Sequence, residues 1–382
     1  MANTLTSLIP DFTEAMDIVS REMVGMIPAV RRDARLDRVA LNQNVIIPVT
    51  RAAGANATNT PGLYAPDTGD DTVDNVQVTI NKSKHQPIRF NGEETLGLVN
   101  SGIYSSVMAD RTAQAIRALV NEIEADLWVA GYTGSSRAYG TAGTAPFGTA
   151  GDLSDFAGVA QILDENGTPT SDRQLVLGHS AIANLRGKQS VLFKVNEAGS
   201  ADMLRNGMTD RIQNMAIRHS HQVGIHTKGT GASYQLSAAG TVGATGIAVD
   251  TGSGTVLAGD IVTIAGTSTK YVVNTGIAAA GTFYIGAPGL RAAEADNDAV
   301  TVGNNYTANL AFDRSAIVLA SRMPAMPAGG DNASDVTSLT DPVSGLTFEF
   351  ALYKQFLQTV VHVRLAWGVK AIKPNHIALL LG

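Results

Sequence analysis

Three consecutive stretches decide how this chain is put together: NVIIPVT at residues 44–50, RAAGANATNTPGLYAPDTGDDTVD at 51–74, and VQVTIN at 76–81. In the last of these Val76, Val78 and Ile80 alternate with Gln77 and Thr79, the period of a half-buried strand. Asn44 to Val49 reads as a second strand, stopped by turn residues. Between the two, Ala, Gly, Asn, Thr, Pro and Asp dominate and no hydrophobic period survives. A structureless stretch of this length inside a compact domain is uncommon and usually functional. The expectation is a long two-stranded arm with a polar, acidic tip at Asp67, Asp70 and Asp71. A lone hairpin does not bury itself, so this one needs a neighbour to lie on.

Upstream, Phe12, Met16, Val19 and Met23 recur at steps of three and four, with Asp11 and Glu14 near the start. The spacing predicts a short amphipathic helix over 10–25, ended near Gly25 and Pro28. Arg31 to Arg38 follows as a charged stretch. Downstream, Met108, Ala115, Leu119, Ile123 and Leu127 form a stripe while Arg111, Arg117, Glu122 and Asp126 face elsewhere. This predicts a helix from Ser105 to Ala130, a spine of about 38 Å at 1.5 Å per residue. Gly131 to Gly151, rich in Gly, Ala, Ser and Thr, reads as a linker or domain crossing.

Next come a helix from Ser154 to Glu165 closed by Gly167, a strand Gln174 to Leu177, and a helix opening at Ser180 as its N-cap. From Gly229 to Ala308 the composition changes: 14 glycines and seven charged residues, with strand-like runs Gly246 to Val249, Asp260 to Ile264, Lys270 to Val273 and Thr282 to Ile285. Short strands separated by glycine turns argue for a small β-barrel or sandwich inserted into α/β material. Ala316 to Ala320 then resumes as a buried strand, and Leu346 to Ala366 is a strand-like stretch rich in Phe, Val, Thr and Tyr.

With 382 residues, 44% hydrophobic, 16% charged and a mean hydropathy of +0.05, the chain has apolar material for a large core and is not disordered as a whole. About two or three folding units are expected at this length. There is no cysteine, which removes disulfides, thiolate catalysis and cysteine-ligated zinc. No secretory signal is apparent over Met1 to Pro10, and no run approaches the roughly 18 apolar residues that cross a bilayer. A net charge of −6 argues against a general nucleic-acid binder, whose affinity rests on surplus Lys and Arg.

His219 and His221 share one strand face and His226 follows, a conceivable metal site; a polar strand is the favoured reading, since no carboxylate lies close in sequence to complete a ligand set. Gly178-His179-Ser180 lacks the glycine two residues after the serine that a nucleophile elbow needs, Ile182 being there instead. Gly140 to Gly151 lacks the Gly-Lys-Ser/Thr ending of a phosphate loop, and the aspartates of the arm miss the alternate positions of a calcium loop. Arg31, Arg32, Arg35 and Arg38, with Asp33 and Asp37 among them, read equally as a self-neutralising face or as an assembly patch meeting scaffold, neighbour or DNA. No catalytic, cofactor or metal residue is expected, and no enzymatic activity.

The order of elements resembles the major capsid proteins of tailed bacteriophages with the Hong-Kong-ninety-seven fold, in particular the coat-protein branch of short-tailed Salmonella-type phages with an inserted β-domain. Leu365-Ala366-Trp367-Gly368-Val369-Lys370-Ala371-Ile372-Lys373-Pro374 is similar to the family's closing run. Leu204-Arg205-Asn206-Gly207 is similar to its aromatic-Arg-Asp-Gly segment, with Leu and Asn departing from it, and Phe312-Asp313-Arg314-Ser315-Ala316 to its rejoining strand. The resemblance implies an α+β capsid fold: N-terminal arm over 1–50, extended loop over 51–90, peripheral domain with the spine helix over 91–150, axial domain over 151–228, inserted small β-barrel over 229–308, axial domain again over 309–334, peripheral strands over 335–366 and an axial closing segment over 367–382. It implies hexamers and pentamers of this chain in an icosahedral shell around double-stranded DNA, contacted non-specifically, with a scaffolding protein, a portal and a possible decoration protein, and no cofactor or membrane. No lysine and asparagine pair was assignable to an isopeptide crosslink, so closure is expected to be non-covalent. The alternatives are an encapsulin-like cage around an enzyme and, less favoured, a secreted glycan-binding β-rich protein.

Overall fold

The computed structural model describes residues 22–49, 61, 74–100, 102, 104–189 and 211–382. Along the chain, a one-turn helix α1 (Met26–Ala29) leads into β1 (Arg31–Val39), the pair β2 (Asn44–Val49) and β3 (Asp74–Thr79), then β4 (Lys82–Asn91), α2 (Gly92–Asn100) and α3 (Tyr104–Thr133). An α/β stretch follows: β5 (Arg137–Tyr139), α4 (Ser154–Glu165), β6 (Arg173–Leu177), α5 (His179–Lys188), β7 (Arg211–Ile212), β8 (Met215–His219) and β9 (Ile225–His226). Next come β10 (Tyr234–Leu236), β11 (Gly246–Asp250), β12 (Ile261–Ile264), β13 (Lys270–Thr275), β14 (Gly281–Ile285) and β15 (Ala299–Val302). The chain closes with β16 (Tyr306–Asp313), β17 (Ile317–Pro324), β18 (Asp335–Thr340), β19 (Thr347–Gln355), β20 (Gln358–Ala371) and β21 (Ile377–Leu381).

The fold is α+β, built on α3. Its apolar residues at steps of three and four, Met108, Ile116, Leu119, Val120, Ile123 and Leu127, are all buried, and no proline interrupts its 30 residues. One end of the helix packs on a six-stranded sheet ordered β1-β17-β20-β19-β18, with β4 also on β20. Strand alternation turns Ile88, Phe90, Phe348, Phe350, Val361, Val363 and Trp367 into the same core as the helix stripe. The other end packs on β5-β21-β16-β6-β8-β7, whose Leu310, Phe312, Leu379 and Leu381 join that core. The opposite face of this second sheet holds α4 and α5 through Phe156, Val159, Leu163, Ile182 and Leu185. The spine is thus one helix shared by two sheets.

Strands β10 to β15 form a closed ring in the order β12-β15-β10-β11-β14-β13, with β13 pairing back onto β12. Its interior is a separate core including Tyr234, Ile247, Val262, Tyr271, Phe283 and Val300. The chain leaves for this barrel after β9 and returns in β16, which pair with each other at Tyr306 and His226. The barrel's β13 also pairs with β5.

Hairpin β2–β3 is antiparallel, Asn44 opposite Thr79 and Val49 opposite Asp74, as the alternation predicts. Among its described residues, Ile47, Val78 and Ile80 are buried against Val39, Val318, Ala320 and Ala366 on the face of the first sheet turned away from α3. Gly368 permits that approach. A Cβ there would lie 2.1 Å from the Thr79 carbonyl oxygen.

The structure departs from the sequence reading at identifiable places. The charged stretch is strand β1, parallel to β17, held by ion partners rather than by an apolar face. Gly131 to Gly151 is no linker: α3 runs to Thr133, β5 is an interior strand, and Phe147 is buried on Phe156. Leu346 to Ala366 is two strands reversing at Phe356 and Leu357, the second continuing to Ala371. Ser180 is not an N-cap: the helix starts at His179 and Gly178 precedes it. Pro28 lies inside α1, not beyond a helix end. Because β17 pairs in the first sheet, the chain crosses between sheets at Arg314–Ala316 rather than after residue 334. The helix read over 10–25 and the segment Leu204 to Gly207 lie outside the described residues, apart from the last few positions of the former.

Candidate assembly site

On the face of the first sheet opposite α3 the hairpin lies against Val318, Ala320 and Ala366. Strand β1 carries the four arginines beside it, with Arg31 opposite Val318 on that face and Arg32 opposite Leu319 on the α3 side, and each has a different environment. Arg38 reaches across β17 and β20 to Glu349, a carboxylate 1% exposed, and to the Pro324 carbonyl (2.8 Å). From the other side Arg364 binds the same carboxylate (2.7 Å) and Asp331 (3.0 Å). Tyr353 donates to Asp331, holding that carboxyl below its usual range, with Arg364 adding to the effect. Arg32 donates to the Ser344 carbonyl (3.0 Å). Asp33 is bound by Arg322 at 2.8 Å and more loosely by Arg35 at 3.4 Å. Arg31 and Arg35 point to solvent, Arg35 being 70% exposed.

The structure therefore divides the arginine set. Arg32 and Arg38 staple β1 to the sheet, and removing Arg38 leaves the buried Glu349 carboxylate with one ion partner fewer. Arg31 and Arg35 are the members without such an anchor in the sheet. Asp67, Asp70 and Asp71 lie outside the described residues. The closing run supplies the link between arm and spine: the Trp367 ring is buried against α3 and its indole N–H donates to Asp126 (2.8 Å), while Lys82 joins Asp126 and Glu122 (both 2.8 Å). Gly368, the next residue, faces the other way and carries the hairpin.

The histidines do not converge as the metal reading required. His226 pairs with buried Asp260 (2.8 Å) at the neck of the barrel, and Asp260 also accepts from the Gly229 and Leu257 amides. His219 and His221 instead meet His179: His219 Nε2 is 2.7 Å from His179 Nδ1, and His179 Nε2 is 2.9 Å from His221 Nδ1. Among the described residues no group of three or more His, Asp or Glu is placed to hold a metal ion, and no helix is long and apolar enough to cross a membrane. Gly140 to Thr149 borders an open cavity of about 1050 Å³ with Lys188 and Lys270, where the Lys270 ammonium donates to the Gly140 carbonyl.

Sequence reasoning missed Glu124. It is 1% exposed on α3 and accepts from the Gly25 (3.3 Å), Met26 (3.0 Å) and Ile27 (2.6 Å) amides and from the Ser220 hydroxyl (2.7 Å). Burial raises its pKa, and these four donors pull against that. A carboxylate facing the start of α1 satisfies amides that the helix leaves without partners. Two turns earlier on α3, Arg117 binds Glu22, whose pKa falls to about 2 through that hydrogen bond. Together they fix the root of the N-terminal arm on the spine. The signal was present: Glu124 stands four residues after Val120 and eight after Ile116, an acid in a core stripe.

No protein-family model matches the sequence, and no curated protein matches it. Solved structures do resemble the chain. The capsid of cyanophage P-SCSP1u is 11% identical, over 95% of this chain and 89% of that one, with a TM-score of 0.48. The mature capsid of bacteriophage PhiM1 is 9% identical over 95% and 87%, at 0.45. A virus-like particle from Pyrococcus furiosus is 8% identical over 99% and 100%, at 0.44.

Proposed function

We propose that this chain is a major capsid protein, a shell subunit of a tailed bacteriophage with no enzymatic role. The observation that carries the reading is the β2–β3 hairpin. It forms a two-stranded sheet of its own, packs on the first sheet through Ile47, Val78 and Ile80, leaves Ile46 63% exposed, and has residues 50–73 beyond it. Two strands without a covering layer are marginal in water, and copies of the same chain related head to tail supply such a layer while closing into rings. Hexamers and pentamers around double-stranded DNA, assembled with a scaffolding protein and a portal in the host cytoplasm, are the finer form of the proposal. The exposed Arg31 and Arg35 are its candidate contacts to scaffold, neighbour or DNA, and the acidic Asp67, Asp70 and Asp71 its candidate contacts to a neighbouring subunit.

Negative-stain microscopy and sedimentation of the expressed chain, alone and with its scaffold, test the proposal. Rings or closed shells are expected, and a variant lacking residues 51–73 is expected to stay folded but monomeric. A chain that remains monomeric under every condition, or a deletion that assembles as well as the parent, overturns the reading. Shells that hold an enzyme in place of DNA would move it to an encapsulin-like cage.

A further inference from the structure

The corner His219-Ser220-His221 touches the root of the N-terminal arm at three points. A Cβ at Gly25 would lie 2.6 Å from the His219 carbonyl oxygen, so backbone meets backbone there. Ser220 donates to Glu124, which in turn holds the amides of Gly25, Met26 and Ile27. The His221 amide donates to the Met23 carbonyl (3.1 Å). The two histidines flanking Ser220 are tied through one further residue, His179 at the first position of α5, into a chain of three imidazoles.

Such a chain has a fixed capacity for protons. Each of its two N···N contacts holds one, and the outer nitrogens, His219 Nδ1 and His221 Nε2, hold at most one each, so two plus two gives four, against three when all rings are neutral. The fourth proton is disfavoured, because His219 Nδ1 is buried with no partner and an N–H there has no acceptor. A fifth would set two N–H groups against each other and break a contact.

We propose that His179, His219 and His221 form a proton-sensitive latch on the root of the N-terminal arm, closed while the imidazoles are neutral and opened when they take up protons. The surroundings of His219 favour its neutral state: its pKa is lowered by burial, then by His179, Arg186 and His221. The closed state is therefore favoured above the ordinary histidine value of 6.5 and loses ground as pH falls below it. The other charged groups at the corner are Arg218, which donates to Gln174, Glu22, paired with Arg117, and Glu124. Because the pKa of Glu124 is raised, its proton uptake favours the closed state, so opening in acid has to come from the imidazoles. The latch belongs to the single subunit and stands whether or not the shell reading does; in a shell it would regulate how freely the arm reaches a neighbour.

Hydrogen exchange of the full chain at pH 7.5 and 5.5, corrected for the intrinsic rate, reads the latch through peptides spanning 22–30, with 377–381 as an internal control. In the parent chain, protection of 22–30 is expected to fall about tenfold more than that of the control at the lower pH, the loss of one hydrogen-bonded contact. His179→Asn and, separately, His221→Asn are expected to exchange faster at pH 7.5 and to show no pH step. Unchanged protection in the parent, a step of equal size in both variants, or a parallel loss in the control would each overturn the latch.

Discussion

Gly368→Ala is the sharpest perturbation of the hairpin, because the added methyl meets backbone rather than a movable side chain. Its Cβ would lie 2.1 Å from the Thr79 oxygen and 2.8 Å from the Thr79 carbonyl carbon, whereas ordinary contacts begin beyond 3.4 Å. Strand β3 must therefore retreat by about 1 Å, on the order of the shift that overpacking forces, at a cost of about 1–3 kcal/mol. The retreat also loosens Val78 and Ile80, both fully buried on Val318, Ala320 and Ala366. Taking about 2 kcal/mol for the sum, amides of residues 75–80 should exchange roughly thirtyfold faster. Exchange in β16 and β21 should stay within twofold, because the Trp367 side of the strand is untouched. Assembly, followed by sedimentation, should fail in step with the hairpin. If residues 75–80 keep their protection in Gly368→Ala, or if the whole chain loosens uniformly, the claim that this glycine seats the arm is wrong.

Glu124→Ala strands three amides and the Ser220 hydroxyl and should cost about 3 kcal/mol or more, read as a lower unfolding midpoint in urea; a loss under about 1 kcal/mol would mean that water replaces the carboxylate without penalty. Asp260→Ala removes the partner of His226 and the acceptor of Gly229 and Leu257, so the barrel neck should open first, with proteolysis between 227 and 305 preceding cleavage elsewhere. His219, His362 and His376 all have pKa values lowered chiefly by burial; each stays neutral in the fold while the unfolded chain binds the proton, so stability is full above about pH 6.5 and declines below it, and a urea midpoint that does not fall between pH 7 and 5 contradicts this. Arg35→Glu should leave the unfolding midpoint within about 0.5 kcal/mol, as an exposed, loosely paired charge, while lowering particle yield if this face meets a partner; an unchanged yield removes it from the assembly surface.

The parts of the fold legible in the sequence are those whose burial is periodic. The spine helix and the hairpin strands announce themselves because every third or fourth residue of the one is apolar and buried, and alternate residues of the other are apolar and at least partly covered. In the barrel, four strands were readable and two were not: Tyr234–Leu236 is three residues long, too short for alternation to register, and Ala299–Val302 follows directly on the charged run of Arg291, Glu294, Asp296 and Asp298. Strand β1 was illegible for a different reason. RRDARLDRV has no hydrophobic period, because its inward side chains are satisfied by Arg322, Glu349 and the Ser344 carbonyl, groups some three hundred residues away, and no local pattern carries that information.

The same distance hid the latch. In the sequence His179 stands only as the middle of Gly-His-Ser, beside a serine, and His219 and His221 have His226 as the nearest further histidine. The sheet overrides both groupings, because β6 and β8 run parallel, with Leu177 opposite His219. That register carries the residue two after β6 to the end of β8, and any reading that pairs histidines by sequence proximity assigns the wrong third ring. Glu124 is the opposite case. Its position in the apolar stripe is local information, and a carboxylate at a core position demands donors from outside the helix. Those donors are the arm root and the Ser220 corner, so an acid on the buried face of the spine marks where the arm must dock.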